Sequence, residues 1–184
     1  GVAEYVFTKK KTPKEIVEDI DWSDIKTQQN ITSPYLHYRV SQGHTEYKPY
    51  PHMYLENIFQ EKIYKTLIES LPKLKYEEIE KTRGTKGYPK RFTASLQGEF
   101  WDDLKGRMLD GKFKKALLEK FYIDEGKANL DDFVEDLLLV KDYPGYQIPP
   151  HTDSLRKVIT VLIYLPEDES FTGEGTSIYE PKEK

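Results

Sequence analysis

The segment over residues 158–165 restricts the fold more than any other part of the sequence. It reads Val-Ile-Thr-Val-Leu-Ile-Tyr-Leu, an almost continuous apolar run that is rich in β-branched side chains. A short run of this kind is typical of a strand covered on both faces rather than of one that faces water. The sequence therefore predicts a buried sheet in the C-terminal part of the chain.

Helical periodicity dominates the part of the chain before this run. Apolar side chains recur at helical spacing in residues 58–71, and Pro72 ends that pattern. Residues 98–122 predict one helix or two, with Gly111 as a plausible break. After Asp132 the period changes to short runs bounded by Pro and Gly, and a short strand is also expected over 91–96. Helices first and strands second predict an α+β fold, with helices packed against an antiparallel sheet.

The first 48 residues are expected to form an N-terminal extension. A helix start is predicted near Thr12 and Pro13, before an apolar stripe. The polar, Tyr-rich stretch from Ser23 to Pro51 has weak periodicity, and it predicts an extended loop with one short strand at most. We therefore divide the chain into an extension over 1–48 and a single domain over 49–184.

Charge and composition exclude several functional classes. The formal net charge of −4 argues against a nucleic acid or an anionic membrane surface as the main partner. No apolar run approaches the ~20 residues that a membrane span needs. Cysteine is absent, which rules out disulfides, thiolate metal sites and cysteine nucleophiles. We expect a soluble, cytoplasmic globular protein.

One short motif before the apolar run has the spacing of a metal site. His151 and Asp153 are separated by a single residue. On a strand, side chains at this spacing point to the same face with Cα atoms ~6.5–7 Å apart. An imidazole and a carboxylate so placed can reach one borderline metal ion such as Fe(II). H-x-D is short enough to occur by chance, however, and a surface pair or a turn is its ordinary explanation.

The surroundings of this motif carry a resemblance to a known family. Four elements follow one another in this order: Tyr143-Pro144-Gly145, His151-Thr152-Asp153, the run that ends in Tyr164-Leu165, and Gly173-Glu174-Gly175-Thr176. In these elements the chain resembles the 2-oxoglutarate- and Fe(II)-dependent oxygenases, particularly their prolyl-hydroxylase-like branch. The resemblance extends over about residues 49–181.

The resemblance implies a fold, a cofactor set and a role for each motif residue. The family fold is a double-stranded β-helix, or jelly roll, with supporting N-terminal helices. His151 and Asp153 would be two of the three iron ligands, while 2-oxoglutarate and molecular oxygen would take part as cosubstrates. Tyr143 and Tyr164 would contact 2-oxoglutarate, and strand parity places Thr160 on the same face as Tyr164. The substrate would be a small molecule or a protein side chain, hydroxylated with release of succinate and carbon dioxide.

The same residues also admit simpler interpretations. Tyr164 could be a core tyrosine, Tyr143 could brace a turn, and Thr160 could be only a good strand former. The cationic loop around Arg83 and Lys90 is expected to be a solvated loop.

No residue after Asp153 matches the family's third ligand, which is a later His. The basic residue that pairs with the cosubstrate carboxylate has no match there either. About two further strands fit in the remaining sequence, too few to close an eight-stranded roll. We expect that the chain is C-terminally incomplete. The alternatives are a non-catalytic jelly-roll module that binds a ligand or partner, a site completed by an upstream His, and a cupin-like metalloenzyme that does not use 2-oxoglutarate.

Overall fold

The computed structural model describes residues 24–83, 87–121, 130–171 and 175–180. Five helices lie in these ranges: α1 (Ile25–Gln42), α2 (Glu61–Ser70), α3 (Ile79–Arg83), α4 (Glu99–Met108) and α5 (Lys112–Lys120). Five strands accompany them: β1 (Thr45–Glu46), β2 (His52–Met53), β3 (Tyr76–Glu78), β4 (Arg91–Ala94) and β5 (Val140–Asp142). Short 3-10 turns cover Leu71–Lys73, Leu130–Asp132 and Glu169–Phe171.

The strands form two small antiparallel sheets. Strand β1 pairs with β2, and the second sheet has the order β3-β4-β5. In the second sheet Tyr76 lies opposite Ala94, and Arg91 lies opposite Asp142. The architecture is α+β, as the sequence predicts. Within the described ranges the sheets have two and three strands, so the closed jelly roll stays a prediction.

An apolar cluster lies between the helices. Its buried members come from α1, α2, α4 and the loop before α2: Leu36, Phe59, Ile63, Leu67, Trp101, Leu104 and Met108. Side chains at i, i+3 and i+4 share one helix face, which explains why the stripe Trp101, Leu104 and Met108 is buried. Helix α4 ends at Met108, and Gly111, with φ of 86°, is the N-cap of α5. The predicted helices over 58–71 and 98–122 are confirmed, and the second region contains two of them.

The predicted loop after Ser23 is wrong, because most of it is helix α1. Asp24 caps the helix by accepting hydrogen bonds from the backbone N–H groups of Lys26 and Thr27. The buried face of α1 combines polar side chains with Leu36 and Val40. Ser33, for example, donates to the Asp110 carboxylate. Polar residues on the buried face conceal the helical period in the sequence. Thr32 donates to the carbonyl of Gln28 one turn earlier, whereas the partner of Ser33 is distant in sequence.

Helix α1 packs against α5, α4 and α2. The described part of the predicted N-terminal extension therefore contributes Leu36 to the common core. The helix predicted near Thr12 lies outside the described residues.

The predicted strand over residues 158–165 is wrong, since no strand is assigned there. A strand needs a neighbour for its backbone groups, and within the described ranges no backbone hydrogen bond joins this run to another segment. Its side chains still alternate: Ile163 and Leu165 pack against the helical core, whereas Leu162 and Tyr164 are more than half exposed. The described residues of the last predicted strand, at 175–180, also lie outside any assigned strand.

Candidate functional site

His151 and Asp153 lie in an irregular segment, and their side chains face each other. The distance from His151 Nε2 to Asp153 Oδ1 is 3.9 Å. The strand assumed for the motif is absent, yet the two potential ligand atoms are still brought together. Both side chains are accessible, with 54% of the imidazole and 39% of the carboxylate side chain exposed. An ion could therefore approach this pair from solvent.

The backbone fixes the tautomer of His151. Its Nδ1 lies 2.9 Å from the carbonyl oxygen of Pro149. A carbonyl can only accept, so Nδ1 carries the hydrogen and donates it. In the neutral ring Nε2 then keeps its lone pair, and Nε2 is the atom that faces Asp153. A metal-binding imidazole usually has its second nitrogen held in this way. The sequence motif does not identify Pro149 as the acceptor.

Asp153 is held by two side chains that follow it in the sequence. Lys157 Nζ donates to Oδ1 at 2.9 Å, and Thr160 Oγ1 donates to Oδ2 at 2.6 Å. The hydrogen bond from Thr160 and that from Lys157 hold the pKa of the Asp153 carboxyl below its usual value. The carboxylate is therefore ionised at neutral pH, the state in which it can bind a cation.

A tight turn brings Lys157 to the carboxylate. The backbone N–H of Lys157 donates to the carbonyl of Ser154 at 2.9 Å, which closes a four-residue turn. Lys157 thereby folds back on Asp153, four residues earlier. No role for Lys157 is predicted from the sequence, because the motif does not indicate the turn that brings it to Asp153.

The Tyr143-Pro144-Gly145 motif forms a turn at the end of β5. The N–H of Tyr146 donates to the carbonyl of Tyr143 at 3.0 Å, and Gly145 has φ of 85°. Proline at the second position and a glycine with positive φ at the third are typical of a type II turn. Lys90 Nζ donates to the carbonyl of Pro144 at 3.2 Å and holds the turn against the loop before β4.

Tyr143 itself contacts the sheet rather than the H-x-D pair. Its ring packs edge-on against Phe92, with centroids 4.9 Å apart. It lines a depression of about 540 Å³ together with Glu78, Glu80, Tyr88, Pro89, Lys90, Phe92 and Pro144. His151 and Asp153 do not line this depression. The role of Tyr143 as a cosubstrate contact stays a prediction.

Tyr164 links two of the motif elements. Its hydroxyl forms a hydrogen bond with the hydroxyl of Thr176, which follows the Gly-rich turn. The ring is 55% exposed, so Tyr164 is not a core tyrosine. Of that turn, Gly173 and Glu174 lie outside the described residues. The structure thus joins Thr160 to Asp153 and Tyr164 to Thr176.

Two of the three upstream histidines have local partners. His44 Nε2 lies 3.1 Å from Glu46 Oε1, and His52 Nδ1 lies 2.8 Å from the carbonyl of Tyr50. Within the described ranges, no group of three or more His, Cys, Asp or Glu residues could hold a metal ion. The described part of the chain therefore offers a pair of candidate ligands at His151 and Asp153, with no third one beside them.

No protein-family model, curated protein or solved structure matches this chain. Among the described residues, no helix is both long and apolar enough to cross a membrane. The residues and their geometry are therefore the basis of the function proposed below.

Proposed function

We propose that this chain is part of an Fe(II)- and 2-oxoglutarate-dependent oxygenase, with His151 and Asp153 as two of the iron ligands. The observation that carries the proposal is the 3.9 Å approach of His151 Nε2 to Asp153 Oδ1. The order of motifs from Tyr143 to Thr176 supports it. The reaction would hydroxylate a small molecule or a protein side chain and release succinate and carbon dioxide.

The donor set fits a borderline metal ion. One neutral imidazole and one carboxylate correspond to two members of a 2-His-1-carboxylate set. Metal–ligand bonds of about 2.1 Å at right angles place neighbouring ligand atoms about 3.0 Å apart. His151 Nε2 and Asp153 Oδ1 would have to approach by a further ~0.9 Å, which rotation of exposed side chains can supply. When bound, iron would supply the activation of oxygen for attack on a C–H bond.

The remaining residues would bind the cosubstrate and orient the ligands. Pro149 and Thr160 hold His151 and Asp153 in place through the hydrogen bonds described above. By the resemblance, the hydroxyls of Tyr143 and Tyr164 would contact 2-oxoglutarate, and Thr160 would lie beside it. A double-stranded β-helix that includes residues 49–184 and a cytoplasmic location are part of the same proposal.

The second candidate function is a binding module without turnover. One observation favours it: both oxygens of the Asp153 carboxylate already accept hydrogen bonds, from Lys157 and Thr160. In such a module His151 and Asp153 would form a surface polar cluster, and the chain would hold a ligand or partner without iron.

Turnover of 2-oxoglutarate tests the first candidate. The purified protein, given Fe(II), 2-oxoglutarate and oxygen, should form succinate slowly even without its substrate. His151→Ala should reduce the rate at least tenfold, since a ligand is lost. The matched control is His44→Ala, which removes an exposed imidazole from another His–carboxylate pair two residues apart. Equal rates in the His151→Ala variant and the parent protein would contradict the assignment.

An anaerobic titration separates the two candidates. Fe(II) and 2-oxoglutarate together should produce a visible charge-transfer band in the oxygenase, and His151→Ala should remove it. A binding module gives no such band. Because the His151 side chain is 54% exposed, the substitution should change the free energy of unfolding by less than about 0.5 kcal/mol. A urea denaturation curve therefore checks that the loss is local.

A further inference from the structure

The ammonium group of Lys157 lies beside Asp153 Oδ1, the carboxylate oxygen that the proposed metal ion would bind. Lys157 Nζ is 2.9 Å from Asp153 Oδ1, and this same oxygen is 3.9 Å from His151 Nε2. Oδ1 is therefore the carboxylate atom closest to the imidazole and also the atom that pairs with the ammonium group. A metal ion bridging the two ligands would need the position next to Oδ1.

The two partners of the carboxylate differ in their relation to a metal ion. Thr160 Oγ1 binds Oδ2, the other oxygen, at 2.6 Å. A neutral hydroxyl on Oδ2 leaves Oδ1 available and holds the carboxylate plane. The Lys157 ammonium carries a full positive charge and uses Oδ1 itself. The Lys157 side chain is 55% exposed, so it can swing into solvent without loss of packing.

We propose that Lys157 competes with the metal ion for Asp153 and thereby weakens its binding. In the metal-free protein the ammonium neutralises the carboxylate, and a metal ion that binds Oδ1 has to compete with this positive charge. A positive charge that stays nearby also repels a divalent cation. This inference rests on the proposed function, because it assumes that His151 and Asp153 bind metal. It adds a positioning residue that sets metal affinity without being a ligand.

The expected change in metal affinity is small because the Lys157–Asp153 ion pair is exposed. Exposed ion pairs contribute little, because solvent and salt screen them. Removing the charge at position 157 should therefore lower the Kd for a divalent ion by about two- to fivefold. A larger gain is expected at low ionic strength, where screening is weaker.

The test is a titration with Mn(II) alone, followed by the electron paramagnetic resonance signal of the free ion. Lys157→Gln should bind Mn(II) about two- to fivefold more tightly than the parent protein. Lys157→Arg keeps the charge and should bind like the parent. Arg156→Gln is the matched control, since it removes an adjacent positive charge that donates no hydrogen bond to Asp153 within the described residues.

The outcomes distinguish this inference from the proposed function. If the parent protein binds Mn(II) and Lys157→Gln binds equally or less tightly, the competition is overturned while the metal site stands. If Arg156→Gln gives the same gain, general charge is responsible and the inference is also overturned. If neither the parent nor Lys157→Gln binds Mn(II), both proposals fail. Adding His151→Ala to Lys157→Gln must abolish the gain, and a gain that persists places the ion elsewhere and overturns the inference.

Discussion

The helical part of the molecule and the described residues of the segment over 143–180 contain similar apolar side chains but bury them to different extents. Leu36, Ile63 and Leu67 between the helices are at most 2% exposed. In the later segment Leu155 is fully exposed, and Leu162 is 59% exposed. The first region is stabilised by burial of apolar surface, which is the dominant favourable contribution to folding.

The later segment is attached to the helices at a few points. Ile163 and Leu165 pack against the core cluster, and the hydroxyl of Tyr64 donates to the carbonyl of Pro166. The candidate ligands His151 and Asp153 lie before these attachments and are surrounded by polar contacts. Stability and the candidate chemistry therefore reside in different parts of the chain. Substitutions in one region should leave the other largely unaffected.

The largest expected loss of stability concerns the buried apolar cluster between the helices. Leu67→Ala removes a side chain that is 2% exposed, and the resulting cavity should cost about 2–5 kcal/mol of unfolding free energy. Leu155→Ala is the matched control, because the same atoms are removed from a fully exposed position and the cost should stay below about 0.5 kcal/mol. Urea denaturation measures both, and similar losses of unfolding free energy would contradict the difference in burial.

An intermediate loss of stability is expected where β4 pairs with β5, just before the later segment. Arg91 donates two hydrogen bonds to Asp142, at 2.7 and 2.6 Å, and its guanidinium lies over the Tyr146 ring. The pair joins β4 to β5 just before the Tyr143 turn, and the Arg91 side chain is 23% exposed. Arg91→Gln should cost about 1–2 kcal/mol in a denaturation experiment.

The control for this junction is Arg83→Gln. Arg83 also binds a carboxylate with two hydrogen bonds, to Asp136, but its side chain is 41% exposed and that of Asp136 is 67% exposed. The loss should be below about 1 kcal/mol. A greater loss from Arg83→Gln than from Arg91→Gln would contradict the dependence on burial.

The smallest effect is a dependence of stability on pH at Asp136. The hydrogen bond from Arg83 holds the pKa of the Asp136 carboxyl below its usual value. A carboxyl whose pKa is lowered by folding stabilises the protein above its unfolded pKa of about 3.9, and this contribution is lost as pH falls through the folded pKa. The difference in unfolding free energy between the parent protein and Asp136→Asn, below about 1 kcal/mol at neutral pH, should therefore shrink under acid.

Denaturation curves between pH 3 and pH 7 measure this difference. Arg83→Gln should remove the same pH dependence, since the partner is then absent. A constant difference across this range would show that the pair does not stabilise the fold.

Local periodicity predicts some elements of this fold well and others poorly. Helix α2 and the pair α4 and α5 follow from apolar stripes and from Gly111 between the pair. Helix α1 is missed because Gln28 and Thr32 lie on its buried face. The strand over 158–165 is predicted from side chains alone, although a strand also requires a backbone partner.

The candidate site depends on local turns that the spacing of the two candidate ligands does not reveal. The spacing of His151 and Asp153 indicates a pair that can share one ion, and the structure places their side chains face to face. The acceptor for His151 and the ammonium on Asp153 depend on turns that bring Pro149 and Lys157 back to the pair. A two-residue motif contains no information about such turns.

The amino-acid sequence alone determined the α+β class, most helix positions and the spacing of the two candidate ligands, because these depend on neighbours within a few residues. The folded structure is needed to show that α1 joins the core and that residues 158–165 pair with no strand in the described ranges. Those features depend on which surfaces meet once the chain is folded. Contacts between segments that are distant in sequence determine which side chains are buried and which backbone groups form hydrogen bonds.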